Sequence, residues 1–268
     1  MKIGNKFFDL DKKKYVMGIL NVTPDSFSDG GKYLDLEKAF SHGIKLADDG
    51  ADILDIGGES TRPGSMPISS EEEMERVIRV IEKIKKEIDI PISIDTYKSD
   101  VAEEAIKKGA DLINDIWGFK KDRNIAKIAK KYDVPCCLMH NREDMNYKNL
   151  IEDCIRDLEE SINIAISEGI SKDKIIIDPG IGFAKGYKEN IMVLKNLDRF
   201  TILRYPVLLG ASRKRFLGTI LNLDDVSDRT IGTVLVSLIG ILKGCSIIRV
   251  HDVLENKQAV MVYEAIYN

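Results

Sequence analysis

Asp95, Asn114 and Asp178 each close a short β-branched run, so each sets a carboxylate or an amide at the carboxyl end of an expected strand. Two carboxylates and an amide that converge supply mostly acceptors. They suit a heterocycle presenting several N–H groups, such as a 2-amino-4-oxo-pyrimidine ring, each charge-assisted bond contributing roughly 1.5–3 kcal/mol. A second group, Arg62, Lys214, Arg249 and His251, is cationic or able to become so. Arg249 and His251 alternate on one strand end and face the same way, an arrangement that suits a phosphate clamp.

Each of these residues also has a plainer reading. An Asp at a strand end is often a helix N-cap, and Asp95-Thr96 before a helix fits that role. Asp55 and Asp115 could be buried partners of Lys or Arg. His42 and His140 read as structural or solvated, Met139 as core filler, and Lys214 as a surface cation on a helix Arg213–Gly218.

The elements that must position these groups alternate along the whole chain. Expected strands are Tyr15–Leu20, Asp52–Ile56, Pro91–Ile94, Asp111–Ile113, Pro135–Leu138, Lys174–Ile177, Pro206–Leu209 and Ser246–Ile248. Amphipathic helical patterns lie between them, among them Glu71–Ile88, Ser99–Lys108, Asn124–Lys131, Asn149–Glu168 and Ser227–Leu242. Ser69-Ser70 followed by three glutamates reads as an N-cap with acids in the first turn. Eight strand–helix units in 268 residues, with no linker between them, predict one (β/α)8 TIM-type barrel domain over 1–268. A doubly wound open sheet is the alternative, but it normally stops at five or six strands, and no GxGxxG follows the first. Lys6–Asp11 is expected to cap the barrel bottom as a short hairpin. Barrel chemistry sits where strands end, and all eight ends carry polar or glycine-rich residues. The glycines of Asn21–Gly31 and Gly57–Gly64 would permit loops that close over a ligand.

Composition narrows the partners. A formal net charge of −4 argues against a general nucleic-acid binder, so any anionic substrate must meet positive charge concentrated locally. The longest uncharged stretch, Ile231–Leu242, is too short to span a bilayer, and residues 1–20 hold no signal-peptide core. Cys136, Cys137, Cys154 and Cys245 form no metal or disulfide spacing. They read as small buried hydrophobes of a cytoplasmic protein, with the adjacent pair facing opposite sides of a strand.

Five segments in order, NVTPDSFSDGG (21–31), DIGGESTRPG (55–64), DPGIGF (178–183), GASRK (210–214) and RVHDV (249–253), resemble the dihydropteroate synthase family from about Tyr15 onward. The first two motifs are long and specific. The chain departs from the commonest pattern at Ala184 and Gly186, where the family often has Gly and Thr, and at Asn141-Arg142, where Met-Gln is commoner. The resemblance implies a transferase of folate biosynthesis, the target of sulfonamides, that joins p-aminobenzoate to 6-hydroxymethyl-7,8-dihydropterin pyrophosphate.

By the same resemblance Asp95, Asn114, Asp178 and Lys214 hold the pterin, with Ile116, Met139, Phe183 and Gly210 around it. Asn21 helps to hold Mg2+, and Arg249 and His251 grip the phosphates. Thr61, Arg62, Pro63, Phe183 and Ser212 lie near p-aminobenzoate. A homodimer through the largely apolar helix Ser227–Leu242 is expected. The implied chemistry has pyrophosphate depart early, with Asp95 stabilising the cationic pterin methylene and no strong general base. A methyltetrahydrofolate-dependent methyltransferase would share the barrel but have no pyrophosphate to grip. An aldolase-type Schiff base on Lys214 would be trapped by borohydride, and a non-enzymatic pterin-binding module would bind without turnover.

Overall fold

The computed structural model describes residues 1–23, 31–60 and 66–267. Among them, two short antiparallel strands, β1 (Lys2–Ile3) and β2 (Lys6–Phe7), precede eight parallel ones. These are β3 (Tyr15–Asn21), β4 (Ile53–Gly57), β5 (Ile92–Asp95), β6 (Leu112–Asp115), β7 (Cys136–Met139), β8 (Ile175–Asp178), β9 (Leu208–Leu209) and β10 (Ile247–Val250). Each barrel strand is followed by a helix: α1 (Gly31–Asp48), α2 (Ser70–Glu87), α3 (Ser99–Lys107), α4 (Asn124–Tyr132), α5 (Leu150–Ser167) and α6 (Tyr187–Lys195) in turn. Then α7 (Arg215–Leu221) and α8 (Thr230–Leu242) separate β9 from β10, and α9 (Val253–Tyr267) ends the chain.

The sheet runs β8-β7-β6-β5-β4-β3-β10-β9, and a parallel bridge between Ile177 and Val207 joins its two edges. That bridge makes the sheet a barrel and removes the open alternative.

Helices form where apolar stripes meet the strands' outer faces. In α2, Val77, Val80, Ile81 and Ile84 are buried at helical spacing. Its start is fixed by Ser69, whose hydroxyl accepts the Glu72 N–H at 3.2 Å, ahead of the acidic first turn.

Alternation along the strands divides the core in two. Residues such as Leu54, Ile94, Cys136 and Ile177 pack outward against the helices. Met17, Ile53, Leu112, Cys137, Ile176 and Ile247 point into the barrel and meet Ile3, Phe8 and Leu10 at its base. The hairpin therefore lies at residues 2–7, earlier than Lys6–Asp11, and Phe8 and Leu10 after it form the plug. Cys136 and Cys137 do face opposite ways, and all four cysteines are buried free thiols.

The strands also differ from expectation at their ends. All but β9 run one or two residues further toward the carboxyl end than the apolar pattern suggests. Beside Gly57, Met139 and Val250, the added residues are polar: Asn21, Asp95, Asn114, Asp115, Asp178 and Arg249 lie in the ladder itself. Backbone pairing holds them more rigidly than a loop would.

Candidate active site

Two residues up from the basal apolar layer, the inward positions of β4, β6, β8 and β10 turn polar. Asp55 of β4 is fully buried, and its Oδ2 accepts the Asn114 amide at 3.1 Å and Arg249 Nε at 2.5 Å. Arg249 also donates through Nη2 to Asp95 Oδ2 at 2.6 Å. This ring joins β4, β5, β6 and β10, leaving Arg249 Nη1 outside both carboxylate pairs. Asp55 Oδ1 is buried without a hydrogen-bond partner among the described residues. Asp95 does not cap the following helix; Lys98 holds the cap position of α3. Among the described residues Asp115 is no ion-pair partner of Lys or Arg either: its carboxylate accepts the Trp117 and Phe119 N–H groups at 2.8 and 2.7 Å, tying the turn after β6.

Asp178 ends β8 and accepts the Gly180 N–H at 2.7 Å. A Cβ on Gly210 would lie 3.4 Å from its other oxygen and 3.9 Å from the Arg249 stem, so glycine there keeps the space between strand ends open. Lys214 takes the N-cap position of α7, and its Nζ sits 4.3 Å from the centre of the Phe183 ring. It is no surface cation. The helix starts at Arg215, not Arg213, because Arg213 has φ of 54° and spends its guanidinium on Asp252 at 3.0 and 2.5 Å.

Burial raises the Asp178 carboxyl to about 6 and lowers the Lys214 ammonium to about 8, the Arg249 charge lowering both. Burial also raises Asp95, against the pull of Arg249.

Ser212 and His251 meet beside these groups. The Ser212 hydroxyl oxygen accepts the His251 backbone N–H at 3.1 Å and lies 3.0 Å from His251 Nδ1. In the tautomer that carries the ring proton on Nε2, Nδ1 accepts the Ser212 hydroxyl proton. Burial, then Arg249 and Arg213, pushes His251 down to about 3. His251 is thus a neutral N–H donor, not a cation. The two expected populations, acidic and cationic, are also not separate: Asp55, Asp95 and Arg249 form one cluster.

Ile116 and Met139 are buried at the ends of β6 and β7. Thr61, Arg62 and Pro63 lie outside the described residues, as does most of Asn21–Gly31. Asn21 ends β3, half-buried and in register with Gly57. Among the described residues no group of three His, Cys, Asp or Glu side chains could hold a metal. One amide oxygen fits only a hard cation such as Mg2+ whose remaining ligands are phosphate oxygens and water.

Nothing in the sequence singled out Lys185. A lone lysine in a glycine-rich loop looks solvated, yet it is 7% exposed and bonds His140 Nδ1 at 2.7 Å. His140 is structural, fully buried and bonded to Asp157 at 3.1 Å.

A model of the pterin binding enzymes matches residues 17–251. A dihydropteroate synthase of Clostridium beijerinckii is 56% identical over 267 residues, covering 99% of each chain. The crystal structure of a Clostridium difficile dihydropteroate synthase in the presence of pteroic acid superposes with a TM-score of 0.95 at 50% identity, covering 97% of this chain and 99% of that one. The Xanthomonas albilineans dihydropteroate synthase in complex with 7,8-dihydropteroate superposes with a TM-score of 0.89 at 39% identity, covering 97% and 95%.

Proposed function

Because this chain belongs to the family of pterin binding enzymes, we propose that it works as a dihydropteroate synthase. It condenses 6-hydroxymethyl-7,8-dihydropterin pyrophosphate with p-aminobenzoate to give 7,8-dihydropteroate and pyrophosphate. The observation that carries this reading is the set of acceptors that Asp95, Asn114 and Asp178 bring to the strand ends, Asn114 and Asp178 buried, together with Lys214 on Phe183.

The ring's N–H groups meet Asp178 and Asn114, and Lys214 donates to the ring's acceptors. Arg249, already fixed by Asp55 and Asp95, offers Nη1 to a phosphate, and neutral His251 offers Nε2–H. Mg2+, with Asn21 as its one protein ligand, would supply charge neutralisation for the pyrophosphate. The C–O bond breaks with its electron pair leaving on pyrophosphate. Asp95, beside the ring, offsets the positive charge left on the pterin methylene. The arylamine nitrogen then forms the C–N bond and loses its proton afterwards, so no strong base is required. Thr61, Arg62 and Pro63, with Phe183 and Ser212, would line the p-aminobenzoate site.

We assign the enzyme to the cytosol, where buried free thiols persist, and to a homodimer through α8. The test is pyrophosphate release from the pterin substrate with and without p-aminobenzoate, with dihydropteroate identified by mass. Release that never yields dihydropteroate would sink the assignment.

A further inference from the structure

The loop after β8 is fastened by a buried ammonium that the chemistry above does not use. Lys185 Nζ donates to Gly180 O and Phe183 O at 3.0 Å each and to His140 Nδ1 at 2.7 Å. An ammonium has three donors and no acceptor, so its hydrogen-bonding capacity is filled inside the protein. His140 Nδ1 must then be the acceptor, and its ring proton lies on Nε2, facing Asp157 Oδ2 at 3.1 Å. Arg142 holds the same carboxylate through Nε at 2.5 Å and Nη2 at 3.1 Å.

What this chain fastens is one wall of the site. The Gly180 N–H fixes Asp178 Oδ1 at 2.7 Å, the Phe183 ring lies under Lys214, and a Cβ on Gly182 would come within 3.0 Å of the Lys214 stem. Asn190 ties the rest of the loop, its Oδ1 accepting the Gly182 N–H at 2.6 Å and its Nδ2 donating to Lys185 O and Gly186 O at 3.1 and 2.7 Å. The Tyr147 hydroxyl donates to Ala184 O at 2.8 Å. The Gly180 and Phe183 carbonyls are drawn in by Lys185. Ala184 sits at φ of 46°, and the Gly186 cap of α6 has no side-chain hydrogen bond.

We propose that Lys185 is a positioning residue of the reaction: by drawing the Gly180 and Phe183 carbonyls against His140, it sets where Asp178, Phe183 and Lys214 meet the pterin ring. This rests on the pterin-pocket reading of the site. Lys185→Ala removes the equivalent of a propylammonium group. Its kcat/KM for the pterin substrate should fall roughly a hundredfold, and added propylammonium should restore about tenfold of it while 1-propanol does not. Activity within twofold of wild type, or equal rescue by the alcohol, would overturn the proposal, since equal rescue marks mere space-filling. If Lys185→Ala does not fold, Asp157→Asn decides. A disturbed His140 tautomer, read by 15N shifts, with pterin kinetics unchanged overturns the idea, and a loss of fivefold or more supports it. Amide exchange at Gly182 and Phe183 needs no ligand and should quicken in the variant. A wild type that turns over no pterin would therefore refute the function, while exchange still decides the clamp.

Discussion

Burial makes Asp178 an aspartate that titrates at about 6, and that fixes how the pterin floor responds to pH. Only the ionised carboxylate is acceptor-only, so pterin affinity should weaken as pH falls through about 6, measured by calorimetry. Stability of the free protein moves the other way. A carboxyl raised above its unfolded value of 3.8 favours folding at low pH and loses that contribution as pH rises through about 6. Urea unfolding of wild type against Asp178→Asn isolates the group: the wild type should lose ground to the variant between pH 4 and 7. Asp178→Asn itself should keep the fold, because Oδ1 still accepts the Gly180 N–H, yet weaken pterin binding by roughly 1.5–3 kcal/mol. Unchanged affinity would remove Asp178 from the site. His140 and His251, lowered by burial to about 4 and 3, should show no titration between pH 5.5 and 8 in 15N-edited spectra. A step near 6.5 at His251 would restore it as a cation. These residues were legible in the sequence because each stands at a strand end. Their pairing was not, since Asp55, Asp95 and Arg249 meet only through strand register, 154 and 194 positions apart.

At the scale of elements, α6 shows a start without a cap. Gly186 is its N-cap at φ of −76°, extended backbone that any residue tolerates, and Glu189 stands at the third helical position. Gly186→Thr would complete a capping box, its hydroxyl accepting the Glu189 N–H. A Cβ there meets only the movable Glu189 carboxylate tip, at 2.7 Å. The variant should gain about 1 kcal/mol in urea unfolding, and Ala184→Gly, which relieves a left-handed alanine, a similar amount. A loss of stability in Gly186→Thr would mean that the cap geometry is wrong. The strand ends teach a related lesson. Asp95, Asp178 and Arg249 continue their ladders, but a pattern of apolar residues stops just before them. The sequence therefore shows where each strand passes from core to site, and reads that passage as the strand's end.

Across the whole molecule, strand–helix alternation was enough to reveal the barrel, because each buried parallel strand is a near-continuous apolar run. The same apolarity left α8 ambiguous between a covered barrel helix and an interface. In the structure Gly232, Ser237, Gly240 and Ile241 pack inward, while Ile231, Leu235, Ile239 and Leu242 stand 75%, 55%, 45% and 53% exposed along one face. Exposed Leu221 on neighbouring α7 and Leu254 and Met261 on α9 add to the apolar surface. Exposed apolar residues of this kind suit the homodimer proposed above, in which a two-fold axis would set the same residues against each other. Leu235→Glu with Ile239→Glu would then place like charges across that axis without touching the barrel interior. Light scattering should give twice 30.1 kDa for the wild type and 30.1 kDa for the double variant. Because association stabilises the folded state by mass action, the wild-type Tm should rise with protein concentration and that of the variant should not. A wild type that is already monomeric at tens of micromolar, with a concentration-independent Tm, would rule out a dimer through this face.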